Sequence, residues 1–366
     1  MKKKHIDIAL STVAALLILS MGAGIWLIPS KDFSHEENRP LATLSPPTVR
    51  SIADGSFSEE LCAFLSDRLP FRIGFIRLRA CSELLLMKGE SNGVIIGRDG
   101  YLIDRGEYAD LNKARKNVED ISSLCAYFTE AGVPVTVAYV PRGIDVMESK
   151  LPFFYSGDHK EILSIIPPSR GAVDLLSPLR SAADRGEHVW FKTDHHWTAD
   201  GAYVAYTELS EALGYTPYEK DLFKAETVSE SFLGSIYSRT GCIAPSPDNI
   251  VLYRYEGDGE YIMSIDGEPQ RKGLYFTEFL EKKDKYAVFL GGNYARVSIE
   301  KMTDVPRPRL VLIKDSYANS LVPFLALHFD IEMIDHRFFS GYGEICQEIN
   351  NCDRVLILQG LDTTAA

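Results

Sequence analysis

The hydrophobic pattern of this chain changes character several times, and each change predicts a different element. From Ile8 to Ile28 the chain is largely apolar and uncharged, and Lys2, Lys3 and Lys4 lie a few residues before it. A spanning helix needs roughly 20 apolar residues, so the run predicts a transmembrane signal anchor. The basic flank predicts a cytoplasmic tip, with the rest of the chain outside. A cleaved signal peptide is the rival reading, and it exports the same remainder. Pro29 to about Gly55 is polar and aperiodic and reads as a stalk. Two helices are predicted next: a short one with Ser56 as N-cap, and a longer one closing at Gly89. β-rich runs on either side of Gly97-Arg98-Asp99-Gly100 predict a hairpin.

From residue 107 onward, helical spacing alternates with short buried apolar runs. YADLNKARKNVEDISSLCAYFTEAG is an amphipathic helix closed by Gly132, and VPVTVAYVP is a strand ending at Pro141. HVWFKT (188–193) reads as a strand. The helix after it has apolar positions 202, 205, 206, 209, 212 and 213, Thr198 as N-cap and Gly214 as stop. RLVLIKDS predicts a strand followed by a helix, and Pro323 makes that helix start near Ser320 or kink there. IEMID and RVLIL are further strands. The alternation predicts an α/β domain with a mainly parallel, buried sheet. Residues 215–307 are irregular and read as an elaboration of that domain. The expected organisation is therefore 1–29 tip and anchor, 30–90 stalk and lead-in helices, and 91–366 the functional domain.

Composition narrows the class. Of 366 residues, 45% are hydrophobic and 25% charged, so a folded chain is expected. The formal net charge of −12 disfavours nucleic acid, whose phosphates need clustered Lys and Arg. Cysteines 62, 81, 125, 242, 346 and 352 show no metal-type spacing.

Chemistry concentrates in two stretches. FKTDHHWTADGA (191–202) lies just before a helix N-terminus, where ligands bind in open α/β sheets. If the stretch is extended, Asp194 and His196 face the same side, so a carboxylate can fix an imidazole that takes a proton. The same residues also fit a polar loop. LVLIKDSYANS (310–320) puts Ser316 at a strand end, where its hydroxyl is exposed and nearby backbone N–H groups can hold an oxyanion. Ser316 also fits a simple helix N-cap. Adjacent histidines diverge and no HxxxH pair is present, so neither a metal nor a cofactor is expected.

Together, FKTDHHWTADGA and LIKDSYANSLVPFLA resemble the DHHW protein family, which is similar to the SGNH-hydrolase-like domains of periplasmic alginate O-acetyltransferases. ENRPLA, SDRLPFR, NGVIIGRDGYLI, FLGSIYS, FLGGN and IDHRFF extend the resemblance over most of the chain beyond the anchor. It implies an SGNH-like three-layer fold with circularly permuted block order, because Asp and His precede Ser. It implies a triad of Ser316, His196 and Asp194, with His195 where relatives carry threonine and Lys314 where glycine is usual. Gly292, Asn293 and Asn319 become oxyanion candidates. Arg142, Trp197 and His195 become substrate-binding candidates.

The expected function is extracytoplasmic O-acyl transfer, with O-acetylation of a cell-surface or exported polysaccharide through an acyl-serine. A membrane-bound O-acyltransferase is the implied donor partner. A carbohydrate acyl esterase with the same triad, or a non-catalytic envelope scaffold or glycan-binding protein, are the alternatives.

Overall fold

A computed structural model describes residues 2–27, 31–34, 39–106, 110–155, 160–165, 172–240, 246–265, 267–338 and 352–364. The chain divides into two compact units, 1–88 with 238–243, and 89–237 with 244–366.

In the first unit, α1 (Lys2–Leu27) contains His5–Leu27, a stretch long and apolar enough to cross a membrane. A short antiparallel pair follows, β1 (Phe33–Ser34) and β2 (Arg39–Pro40). Three helices complete the segment: α2 (Val49–Ala53), α3 (Ser56–Asp67) and α4 (Arg72–Leu85). The polar lead-in is tied to α3, with the Ala42 N–H on Asp67 at 2.8 Å and the Ser45 N–H on Glu60 at 2.6 Å. Two sequence expectations need correction. Gly55, at φ 84°, is the N-cap of α3 and Ser56 is its first residue, because the turn needs a left-handed backbone there. The second helix stops at Leu85, short of Gly89.

The second unit begins with the predicted hairpin. β3 (Glu90–Ser91), β4 (Val94–Ile96) and β5 (Leu102–Asp104) form a small antiparallel sheet. Then come α5 (Leu111–Glu130), β6 (Val135–Val140), α6 (Gly143–Val146), β7 (Ala172–Val173), α7 (Leu176–Asp184) and α8 (Ala199–Leu213). β8 (Lys224–Phe232) and β9 (Asp248–Arg254) pair with each other, separated by a short helix α9 (Ser235–Thr240). The remaining elements are β10 (Tyr261–Ile265), β11 (Arg271–Lys272), β12 (Arg296–Lys301), β13 (Arg309–Lys314), α10 (Ala318–Leu325), β14 (Asp330–Asp335) and β15 (Arg354–Gly360).

The main sheet has the order β11-β10-β12-β14-β13-β15-β6-β7. From β14 to β7 the strands are parallel, while β12, β10 and β11 add an antiparallel edge. Strand side chains alternate between two faces, and both faces are buried. Val311, Ile313, Val355, Ile357, Val137 and Ile334 pack with Val118 and Phe128 of α5. Leu310, Leu312, Leu356, Leu358, Ala138 and Met333 pack on the other face with residues of α7, α8 and α10. That two-sided burial explains why the parallel strands read as continuous apolar runs.

Two further expectations change. HVWFKT is not a sheet strand: Trp190 makes an isolated bridge to Trp197, and the segment folds back on its own loop. The Phe191 N–H donates to the His196 carbonyl, and the Thr198 N–H to that of Val189. α10 begins at Ala318 and carries Pro323 inside it. In a helix of only 8 residues the proline interrupts little of the hydrogen-bond ladder. Cys242 and Cys346 lie outside the described residues.

Candidate active site

β13 delivers the nucleophile candidate. Its last residue is Lys314, and the chain leaves the sheet through Asp315 and Ser316 before α10 begins. Asp315 is fully buried and clamps this turn, accepting the Tyr317 N–H at 3.0 Å and the Gly360 N–H at 2.6 Å. Its carboxylate thereby binds the end of β13 to the end of β15. Burial pushes its pKa up.

The second arm is the loop before α8. Thr198 caps α8, its hydroxyl accepting the Gly201 N–H at 3.3 Å. A Cβ on Gly201 would stand 2.2 Å from the Val189 carbonyl, so glycine is needed for the helix to lie this close to the loop. Trp197 is completely buried, and its Nε1–H lies 3.0 Å from both the Tyr317 carbonyl and the Ser320 hydroxyl. It therefore pins the loop to α10. Trp197, a substrate-binding candidate from the sequence, has no exposed ring face and belongs to the core.

Asp194, His196 and Ser316 form one continuous hydrogen-bonded chain. The His196 Nδ1 is 2.6 Å from Asp194 Oδ1, and its Nε2 is 2.9 Å from Ser316 Oγ. Asp194 is reached by a turn rather than by extended backbone, since its Oδ1 also accepts the His196 N–H at 3.0 Å. Its second oxygen accepts the Ser235 N–H at 2.7 Å. Gly234 leaves room for this carboxylate, because a Cβ there would lie 2.4 Å from Oδ2. Asp248 supports the loop from below, accepting the N–H groups of Lys192 and Thr193 at 2.9 and 2.8 Å. Tyr286 stacks on the His196 ring at 3.9 Å and 9°, and its hydroxyl bonds the Ser320 hydroxyl at 3.0 Å. Tyr317 meets the same imidazole edge-on and donates to the His195 carbonyl at 2.9 Å.

The electrostatics follow from this enclosure. Burial works to raise the Asp194 carboxyl. His195, His196 and the Ser235 N–H outweigh it and hold the carboxyl far below the usual carboxylate range. Burial, joined by the charge of His195, holds His196 below the ordinary 6.5 despite Asp194. A neutral imidazole bonded to a hydroxyl on one side and a carboxylate on the other can accept the hydroxyl proton.

The remaining candidates fall in different places. His195 is about one-third exposed, and its Nδ1 lies 2.7 Å from the Ser235 hydroxyl. Arg142, a substrate-binding candidate from the sequence, is buried and binds Asp145 through Nε and Nη2 at 3.0 and 3.1 Å, so it is a paired core cation. Asn319 donates from Nδ2 to Asn293 Oδ1 at 3.1 Å and to the Gly292 carbonyl at 3.4 Å, which gathers the three oxyanion candidates beside α10. Ligand-type atoms of Asp194, His195 and His196 lie within 4.8 Å of one another. Both ring nitrogens of His196 are already engaged by Asp194 and Ser316.

Tyr286, Gly234, Ser235, Asp248 and Asp315 escaped the sequence reading as site residues. All but Asp315 lie 38 to 92 positions from the Asp-His pair and carry no local signal, although Gly234 and Ser235 sit inside the FLGSIYS block.

Residues 170–334 match the DHHW protein family, and residues 94–235 match the SGNH hydrolase-like domain of the acetyltransferase AlgX. A probable alginate O-acetylase AlgJ of Pseudomonas fluorescens is 22% identical over 216 residues, 55% of this chain and 51% of that protein. A probable alginate O-acetylase AlgJ of Pseudomonas syringae pv. tomato is 24% identical over 190 residues, 48% of this chain and 47% of that protein. The chain thus spans about half the length of these curated relatives. A DHHW family protein from Eubacterium siraeum shares the fold, with TM-score 0.59 and 24% identity over 76% of this chain and 93% of that one. Bacillus cereus PatB1 does so with TM-score 0.62 and 19% identity, over 75% and 97%. The chain thus resembles the DHHW protein family over residues 170–334 and the SGNH hydrolase-like domain of AlgX over residues 94–235.

Proposed function

We propose that this chain is an extracytoplasmic O-acyltransferase that acetylates a cell-surface or exported polysaccharide. The observation that carries the reading is the continuous hydrogen-bonded chain from Asp194 through His196 to Ser316. The relatives named as O-acetylases and the apolar helix at His5–Leu27 support the acceptor class and the membrane setting. On this reading residues 1–29 anchor the chain, 30–90 form the stalk, and 91–366 perform the transfer. The order Asp–His before Ser reflects a circularly permuted SGNH block order, since a triad is defined by geometry rather than by sequence order.

His196 Nε2 takes the Ser316 hydroxyl proton as Oγ attacks the acyl carbonyl. Collapse of the tetrahedral intermediate returns that proton to the leaving group and leaves acyl-Ser316. A sugar hydroxyl then gives its proton to His196 and attacks the acyl-serine, forming the sugar ester and restoring Ser316. Asp194 stays ionised throughout and holds the imidazole tautomer. The acetyl donor reaches the site from a membrane-bound O-acyltransferase partner. His195, one-third exposed at the loop, is the side chain assigned to the acceptor sugar on this reading.

The test uses the full chain in detergent, an activated aryl acetate and candidate oligosaccharides. Wild type is expected to give acetylated sugar, and Ser316→Ala none. Free acetate alone, with equal dependence on Ser316, would make the chain an esterase. Equal inertness of both proteins, with Ser316 unlabelled by a phosphonate probe, would make it a scaffold.

A further inference from the structure

Lys314 has no part in the triad, yet it ends the strand that delivers Ser316 and is 1% exposed. Burying an ammonium is costly unless its donors are satisfied. Here three acceptors surround it. Asn319 Oδ1 is 2.8 Å from Nζ, Asn293 Oδ1 is 3.2 Å away, and Asp335 Oδ2 is 3.5 Å away. An ammonium has three N–H donors and no lone pair, so three acceptors suit the charged form. Asp335 belongs chiefly to Arg337, which grips both its oxygens at 2.9 and 2.7 Å. Lys314 therefore serves chiefly the two amide oxygens, and it shares that of Asn293 with the Asn319 NH2.

Fixing an amide oxygen also fixes where its NH2 points. The Asn319 NH2 is consumed within the cluster, on Asn293 Oδ1 and the Gly292 carbonyl. The Asn293 NH2 has no protein partner among the described residues, and the side chain is exposed. Asn319 is itself bonded back to the nucleophile turn, its N–H donating to the Ser316 carbonyl at 3.2 Å. We propose that Lys314 is a positioning residue that orients Asn293, through both asparagine carbonyls, so that its NH2 serves as an oxyanion donor to the acyl group on Ser316.

This inference rests on the acyl-serine reading. Burial lowers Lys314 to about 8, against the pull of Asp335 and Asp315 and with the opposing charge of Arg337. Its proton is therefore lost just above neutral pH. A neutral amine keeps two N–H donors but loses the charge that strengthens them, so it holds the two asparagine oxygens more weakly there.

The test measures Ser316-dependent release from an aryl acetate by the full chain in detergent, from pH 6 to 10. Lys314→Met and Asn293→Ala are each expected to lower kcat about 10²–10³-fold, the usual cost of one oxyanion donor, with KM nearly unchanged. The double variant is expected to fall no further than either single one. Wild type is expected to lose turnover above about pH 8, and Lys314→Met to lack that basic limb. Should Lys314→Met fail to fold, the exposed Asn293→Ala and the wild-type limb still decide. Retained kcat in Asn293→Ala, or losses that multiply in the double variant, would overturn the positioning role while leaving the triad intact. Turnover undiminished by Ser316→Ala would overturn the acyl-serine reading and this inference together.

Discussion

Asp194 directs its charge at His196 and at one backbone N–H. Its oxygens are filled by His196 and by the Ser235 N–H, and Gly234 keeps the space beside it open. Gly234→Ala is therefore expected to displace the carboxylate and reduce turnover toward the roughly 10⁴-fold loss typical of an amide in place of the triad aspartate. Kinetics of the folded variant check this, and near-normal turnover would show that the carboxylate tolerates the shift. The lowered pKa of His196 has its own consequence. The base works when neutral, so the acid limb of turnover is expected below pH 6.5. A midpoint at or above 6.5 would contradict the burial argument. Stability has the same sign. An unfolded chain protonates this histidine more readily, so its contribution is complete above 6.5 and is lost as pH falls through the lower folded value.

At the scale of elements, the site joins two local structures, the β13–α10 turn and the loop before α8. Trp197 fastens them through one indole N–H shared by the Tyr317 carbonyl and the Ser320 hydroxyl. Trp197→Phe removes that donor in a buried setting and is expected to cost about 1–3 kcal/mol, read as a lower urea midpoint. An unchanged midpoint would mean the bond contributes little. Periodicity made α5 and α8 legible, and the caps Thr198 and Gly214 were readable because their chemistry is local. The apolar runs of β6, β13, β14 and β15 were equally plain, since both sheet faces are covered. HVWFKT misled because its apolar residues are buried by a loop folding back, with backbone bonds to its own carbonyls and to Asp248. Residue type identified Asp194, His196 and Ser316 as candidates. Tyr286 and Gly234 act by contact across long sequence separations, which no local pattern records.

For the whole molecule, placement relative to the membrane decides which substrates are within reach. The anchor reading puts Lys2 to Lys4 inside and Ser316 outside. A membrane-impermeant serine-directed probe applied to intact protoplasts is expected to label wild type and not Ser316→Ala. Labelling only after permeabilisation would place the site on the opposite side. The net charge of −12 disfavours nucleic acid as a partner.

The most direct test of the account is the acyl-enzyme itself. Wild type would be mixed with an activated aryl acetate, quenched in acid, digested and mapped by mass spectrometry. The triad predicts one acetyl group on the peptide carrying Ser316, absent from Ser316→Ala, and accumulating only slowly in His196→Ala. An acetyl group elsewhere, or none while acetate is released at the full rate, would contradict the serine mechanism.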